Sequence, residues 1–263
     1  MKKLTPKQDR ILTVVMWVVL ALAALPLLHY GRIMLICDSF VVRGRSMEPT
    51  LHQGERVWVN KLIMGPRIYT CFDFSHDTLA CFRLPGFRSP RVGDIAVFNY
   101  PRGWTETRMG FRINYVYAKR CVGVPGDSVS VEGSRYRNSR AADVGIPAAN
   151  EAALAATDDS LLLASGVLKA GYFAAREHEW TIKDFGPVLV PASGMSVAMD
   201  SLNLAVYKDV IEYETRASAS SWLGREYVFR DDYYFFAGDN VADSKDSRYI
   251  GFVPEDFIIG IVP

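Results

Sequence analysis

The stretch YVYAKRCVGVPGD, Tyr115 to Asp127, decides how this chain is to be read. Aromatic and β-branched residues run into Pro-Gly-Asp, which predicts a strand that ends in a turn. With side chains alternating across a strand, Tyr115, Tyr117, Lys119 and Cys121 share one face, and Val116, Ala118, Arg120 and Val122 share the other. Two adjacent bases are thereby sent to opposite sides. If Arg120 is the solvated or ion-paired one, Lys119 looks towards aromatic and sulfur-bearing neighbours. Burial disfavours an ammonium, so a lysine held there can be neutral and basic near pH 7. The plainer alternative is a lysine that snorkels along the strand to water.

Outward from this strand the pattern repeats. SFVVRG, ERVWVNKLI, GDIAVFNYP, DSVSVEG, PVLVP, EYVFRDDYYFFAG and YIGFVPEDFIIGIVP are short Val-, Ile-, Phe- and Tyr-rich runs between Gly, Pro and Asp turns, so the fold class is mainly β. Helices are expected over 150–170 and 200–217. In the second, Leu202, Val206, Val210 and Tyr213 recur at helical spacing, and Asp200 is placed to cap it. Both lie in a segment read as an inserted β-rich subdomain, 130–230, between the two parts of a β core, 31–129 and 231–263. At 263 residues, 49% of them hydrophobic, the chain can bury a sizeable core. The alanine-rich run from Arg140 to Ala156 carries no recognisable functional chemistry.

The N-terminus has a separate character. Lys2, Lys3, Lys7 and Arg10 form a basic tail, 1–10, ahead of an uncharged run from Ile11 to Leu28. Eighteen helical residues span roughly 27 Å, close to the hydrocarbon thickness of a bilayer, which predicts a transmembrane helix over 11–30. The basic flank then stays in the cytosol and the remainder lies outside. A cleaved signal peptide, with a mature start at Ala24, is the alternative. A net charge of +1 removes the basic excess a nucleic-acid-binding domain shows. The four cysteines follow no metal-binding spacing. Cys71 and Cys81 could pair, while Cys37 and Cys121 read as buried apolar fillers.

A nucleophile is offered by GRSMEPTL, Gly44 to Leu51. A serine needs a base, and none of His29, His52, His76 and His178 stands in a recognisable triad setting. Pro49 forbids a regular helix after Ser46, which excludes the serine-lysine helix of the penicillin-binding proteins. The loop GDNVADSKDSRYIGFVP, Gly238 to Pro254, adds a hydroxyl at Ser244 and two charges, Asp246 and Arg248, that can pair.

In this order behind a membrane helix, SMEPTL, GDIAVF, YAKRCVGVPGD and GDNVADSKDSRYIGFVP resemble the four sequence boxes of bacterial type I signal peptidases. The resemblance implies a membrane-anchored β-barrel or sheet catalytic core with an inserted subdomain. It implies Ser46 as nucleophile, Lys119 as general base and Ser244 as the hydroxyl that orients the lysine. Asp246 and Arg248 match a structural ion pair, and Asp239 matches an acidic residue supporting the loop, against Arg120. Phe40, Val42, Val97, Tyr117 and Ala118 would line shallow pockets for small substrate residues, with ordinary core packing as the alternative for each. Gly44 departs from the pattern, because many relatives carry a hydroxyl there as a second oxyanion donor. Met47, Trp58, Leu62 and Ile63 could rest on lipid.

The expected activity is cleavage of signal peptides after Ala-x-Ala by a membrane-bound serine endopeptidase, with no cofactor and no metal. Preprotein signal peptides, the lipid bilayer and the protein-export machinery are the expected partners, without nucleic acid. The expected place is the bacterial plasma membrane, with the N-terminus cytoplasmic and the catalytic domain outside. A dedicated peptidase for conjugation or pilus subunits, and a non-enzymatic membrane-anchored β scaffold, are the competing readings.

Overall fold

The computed structural model describes residues 6–71, 80–101, 108–169 and 179–263. Its first element, α1 (Pro6–Leu35), is a 30-residue helix with no buried residue. At roughly 45 Å it is longer than the expected 11–30 span, and it is long and apolar enough to cross a membrane. Only Ile36 separates it from β1 (Cys37–Val41), so no flexible linker intervenes. The junction is tied down instead. Lys61 Nζ donates to the Ile33 carbonyl at 2.7 Å, satisfying one of the free acceptors at the helix end. The Arg32 guanidinium lies 5.5 Å from the Trp58 ring centroid and donates to Cys37 Sγ at 3.2 Å.

After β1, the chain forms β2 (Arg56–Asn60), β3 (Arg67–Tyr69), β4 (Cys81–Arg83), β5 (Ile95–Asn99), β6 (Val116–Gly123), β7 (Ser128–Glu132) and β8 (Arg135–Asn138). Two helices follow, α2 (Ala148–Ala156) and α3 (Asp159–Ala164). Then come β9 (Phe185–Leu189), β10 (Ser196–Ala198), α4 (Ser201–Thr215), β11 (Glu226–Val228), β12 (Tyr233–Ala237), α5 (Ser247–Ile250), β13 (Val253–Pro254) and β14 (Ile258–Val262). Seven strands make one curled antiparallel sheet in the order β1-β2-β14-β5-β6-β12-β13. β6, which carries most of the Tyr115–Asp127 stretch, lies between β5 and β12. Its Lys119 is opposite Ala96 and its Arg120 opposite both Ile95 and Ala237.

One side of this sheet is filled by Ala96, Phe98, Cys121, Phe236 and Phe257, with Tyr117 packed against them. Phe98 and Phe236 stack with ring centroids 4.6 Å apart. Val122 and Phe235 belong instead to a second, larger core shared with Val129, Leu154, Val188 and Val206 of the β7–α4 segment. That segment therefore has no separate interior; it closes over the sheet.

Every run the sequence announced contains a strand, but EYVFRDDYYFFAG divides into β11 and β12, in different sheets, and YIGFVPEDFIIGIVP begins in α5 and divides into β13 and β14. Four strands were not announced, β3, β4, β8 and β10, because runs of three or four residues are too short to show alternation, and all but β10 carry arginine. β3 and β4 are fixed by other means. Arg67 donates to Asn99 Oδ1 at 2.9 Å, and a Cβ on Gly65, at φ +87°, would stand 1.8 Å from the Leu84 carbonyl oxygen. The helix expected over 150–170 is two helices, because Asp158 accepts from the Ser160 N–H at 2.7 Å and starts a new one. Asp200 does cap α4, through the Asn203 N–H at 2.7 Å. Leu202 falls off the buried stripe and is 45% exposed, whereas Val206 and Val210 are buried.

The possible Cys71–Cys81 bridge is not made. Cys81 stands opposite Tyr69 in the hairpin, two residues short of Cys71, so register separates the two sulfurs. Cys121 is buried as expected, but Cys37 is only half-buried. His76 and His178 lie outside the described residues.

Candidate active site

Strand alternation puts Lys119 on the aromatic side of β6, and the sheet buries it until 2% of its surface remains. Its Nζ sits 5.6 Å from the Tyr117 ring centroid and donates to Ser46 Oγ. Burial pushes its pKa down from 10.5 to about 8, against opposing pulls from the carboxylates of Asp246, Asp239 and Asp243. The snorkelling alternative is thus not what the fold adopts. Ser46 lies in the loop between β1 and β2, next to a cis Glu48–Pro49 peptide, and is half-buried while Met47 beside it is buried. Among the described residues the Ser46 N–H has no backbone acceptor.

Arg120, one residue on, faces the other way. Its Nε and Nη2 donate to Asp239 Oδ1 and Oδ2 at 2.7 and 2.6 Å, a two-armed fork, and Nη1 donates to the Gly93 carbonyl at 2.8 Å. Asp239 also accepts from the Thr50 hydroxyl, which ties the serine loop to the same carboxylate. Asn240 continues the tie: its N–H donates to the Ser46 carbonyl at 3.0 Å and its side chain to the Arg45 carbonyl at 3.3 Å.

A second fork closes the polar loop. Arg248 Nε and Nη2 donate to Asp246 Oδ1 and Oδ2, both at 2.9 Å, with neither side chain exposed. Nη2 also reaches the Val241 carbonyl at 2.8 Å, and Asp246 caps α5 while accepting from the Gly238 N–H at 3.0 Å. Burial would raise the Asp246 pKa, but the Arg248 guanidinium and these hydrogen bonds more than offset it, so the carboxyl stays below its usual range.

The structure does not give Ser244 the expected bond to Lys119. Among the described residues its Oγ is buried with no hydrogen-bond partner, although it stands near enough to Asp246 to help hold that carboxyl down. The reason is packing: the hydroxyl fills the space that a Cβ on Gly238 would take, 2.1 Å from that position. Gly44, the other irregular position, has nothing within 4 Å of where its Cβ would be.

The five expected pocket residues divide. Phe40, Val42 and Ala118 are half-buried around Met47, Leu51 and Val57, and so form an apolar surface beside the serine loop. Tyr117 is half-buried and tilted against Tyr100 at 4.5 Å. Val97 is 1% exposed and packs with Val59 and Ile259, beneath that surface and not on it. Among the residues expected on lipid, Trp58 is 50% exposed and Leu62 and Ile63 are half-buried, but Met47 is 1% exposed and serves the core.

Sequence reasoning missed Thr50, Asn240 and Asn150. The first two lie inside the recognised boxes. Asn150 gave no signal, since it sits in the alanine-rich run, yet its amide donates to the Glu48 carbonyl at 2.9 Å and to the Asp239 carbonyl at 2.6 Å.

Comparison with known proteins returns one family, signal peptidase, peptidase S26, matched over residues 11–263. A signal peptidase I of Pseudomonas aeruginosa is 28% identical over 251 residues, covering 90% of this chain and 68% of that one. A signal peptidase I of Pseudomonas fluorescens is 25% identical over 256 residues, covering 89% and 70%. A crystal structure of a signal peptidase I from Enterococcus faecalis V583 shares 18% identity over 67% of this chain and 98% of that one. Its TM-score of 0.30 is too low to bear on the fold.

Proposed function

The chain belongs to the signal peptidase family S26, whose members are serine endopeptidases, and from that premise we propose that Ser46 and Lys119 form its catalytic dyad. The observation that carries this reading is the hydrogen bond between Lys119 Nζ and Ser46 Oγ, made by a lysine with a pKa of about 8. At pH 7 about a tenth of such lysines are neutral. In that form Nζ accepts the Ser46 proton and the oxygen attacks a peptide carbonyl. Lys119, now an ammonium, gives the proton to the departing amine, and water then resolves the ester through the same base. Charge that develops on the carbonyl oxygen meets the Ser46 N–H, which has no backbone acceptor among the described residues. With Gly44 in place of a hydroxyl, that backbone donor is the only one the motif supplies.

The substrate is a signal peptide ending in small residues, Ala-x-Ala. The half-buried apolar side chains of Phe40, Val42 and Ala118 beside the serine loop support this, since they offer small apolar residues a surface to pack on. α1 anchors the enzyme in the bacterial plasma membrane with its basic end in the cytosol and the site outside, and brings it to a substrate that is itself bilayer-embedded. Residues 31–129 and 231–263 are the catalytic core, and 130–230 the insertion.

The test is cleavage of a preprotein carrying Ala-x-Ala before the cut. Ser46→Ala and Lys119→Ala should each lose on the order of a thousandfold or more in kcat/KM. Cleavage retained by either variant overturns the dyad.

A further inference from the structure

We propose that Asn150, on α2 of the insertion, is a positioning residue that sets the Ser46–Lys119 geometry. The proposal rests on the dyad reading above. The Asn150 Nδ2 group bridges two carbonyls from chain segments far apart in sequence, Glu48 at 2.9 Å and Asp239 at 2.6 Å. Glu48 follows the nucleophile by two residues. Asp239 precedes Asn240, whose N–H holds the Ser46 carbonyl at 3.0 Å. The two carbonyl oxygens converge on one point, and with no donor between them their dipoles repel. The amide nitrogen, with two hydrogens and no lone pair to spare, suits that point, and the convergence fixes which way the amide faces.

The helix does not need these bonds for its own docking. α2 is already held by Leu154, 1% exposed in the larger core, and by Glu151, whose carboxylate accepts from the Tyr136 N–H at 2.9 Å. Asn150 occupies the first turn, where a polar side chain ordinarily turns back onto its own helix; here it reaches out to the two site loops. The insertion thus contributes to the site by latching the serine loop to the polar loop, on top of the Thr50–Asp239–Arg120 tie.

The experiment uses the full chain in detergent micelles and a preprotein with Ala-x-Ala before the cut. Asn150→Ala should lower kcat by about ten- to a hundredfold, the scale of a misplaced reacting group, with KM within about twofold and Tm within a few degrees. Asn150→Asp is the sharper variant. An acidic residue suits the first turn of a helix, so α2 and Tm should hold. A carboxylate facing two carbonyls should instead open the latch and, as added negative charge near Lys119, move the acid limb of the pH profile upward. Asn150→Gln, which keeps the amide, should recover part of kcat. The proposal is overturned if Asn150→Ala keeps its kcat, if Asn150→Asp cleaves like the parent at the same pH optimum, or if kcat falls only in step with Tm. Ser46→Ala in the same assay separates the two claims: a cleaving Ser46→Ala sinks the dyad, whereas an inert Ser46→Ala beside fully active Asn150 variants sinks the latch alone.

Discussion

Arg248 and Asp246 are two residues apart and show no surface, whereas Arg120 and Asp239 are 119 residues apart and the arginine side chain keeps 12% of its surface. Both pairs are two-armed forks, and both carboxylates act on Lys119 by raising its pKa. The local fork shapes a single loop: Asp246 caps α5 and holds the Gly238 N–H, and Arg248 ties down the Val241 carbonyl. The long-range fork joins parts, since Asp239 carries the Thr50 hydroxyl and Arg120 carries β6. The same chemistry therefore gives rigidity in one place and assembly in the other. Without the two carboxylates, burial would carry Lys119 further below 8.

The largest effect should come from breaking the local fork. Arg248→Met leaves the Asp246 carboxylate buried without its cation, which costs about 3–5 kcal/mol. A urea denaturation series measures this, and a loss under about 1 kcal/mol would mean the loop holds its shape by other contacts. Lys119→Met should work in the opposite direction. The folded state holds this lysine at about 8 against 10.5 when exposed, so the fold disfavours its proton. The penalty is complete below about pH 8 and fades as pH rises towards 10.5, with stability rising alongside. The methionine escapes it and should be more stable by roughly 3 kcal/mol at pH 7 while cleaving nothing. If the difference does not shrink between pH 7 and pH 10, the buried ammonium is not its source.

Arg120→Lys sharpens the contrast between the forks. It keeps the charge but loses one arm, at about 1 kcal/mol of stability, and should still slow kcat more than this loss explains, because it loosens the seam to the serine loop. A kcat unchanged at full occupancy would reduce the long-range fork to a mere brace. The smallest effect tests the electrostatics alone. Asp243 is exposed and raises the Lys119 pKa from a distance. Asp243→Asn should move the acid limb of kcat/KM to lower pH, by under about one unit and less so at high salt. An upward shift contradicts the sign.

How much of this was written in the sequence follows from how local each signal is. β6 could be read face by face, because alternation is a property of neighbouring residues, and the separation of Lys119 from Arg120 came with it. The Asp246–Arg248 pair was legible for the same reason. The hairpin of β3 and β4 was not, since three-residue strands are held by arginines reaching distant carbonyls. Ser244 was placed by resemblance to other chains, and the packing of its hydroxyl against Gly238 depends on a contact no spacing reveals. Asn150 lies deeper still: its meaning depends on two carbonyls, and backbone acceptors look alike in every sequence.

The junction behind β1 has a consequence for reach. One residue separates α1 from the sheet, and Lys61 and Arg32 pin the helix end to β2 and β1. With α1 in a bilayer, the sheet has no tether on which to swing, so the height of Ser46 above the lipid is a dimension of the molecule. On the proposed reading, with Ser46 as nucleophile, such an enzyme would gauge its substrate: of the bonds along an exported chain, one that emerges at that height would meet the serine, whatever residues flank the others.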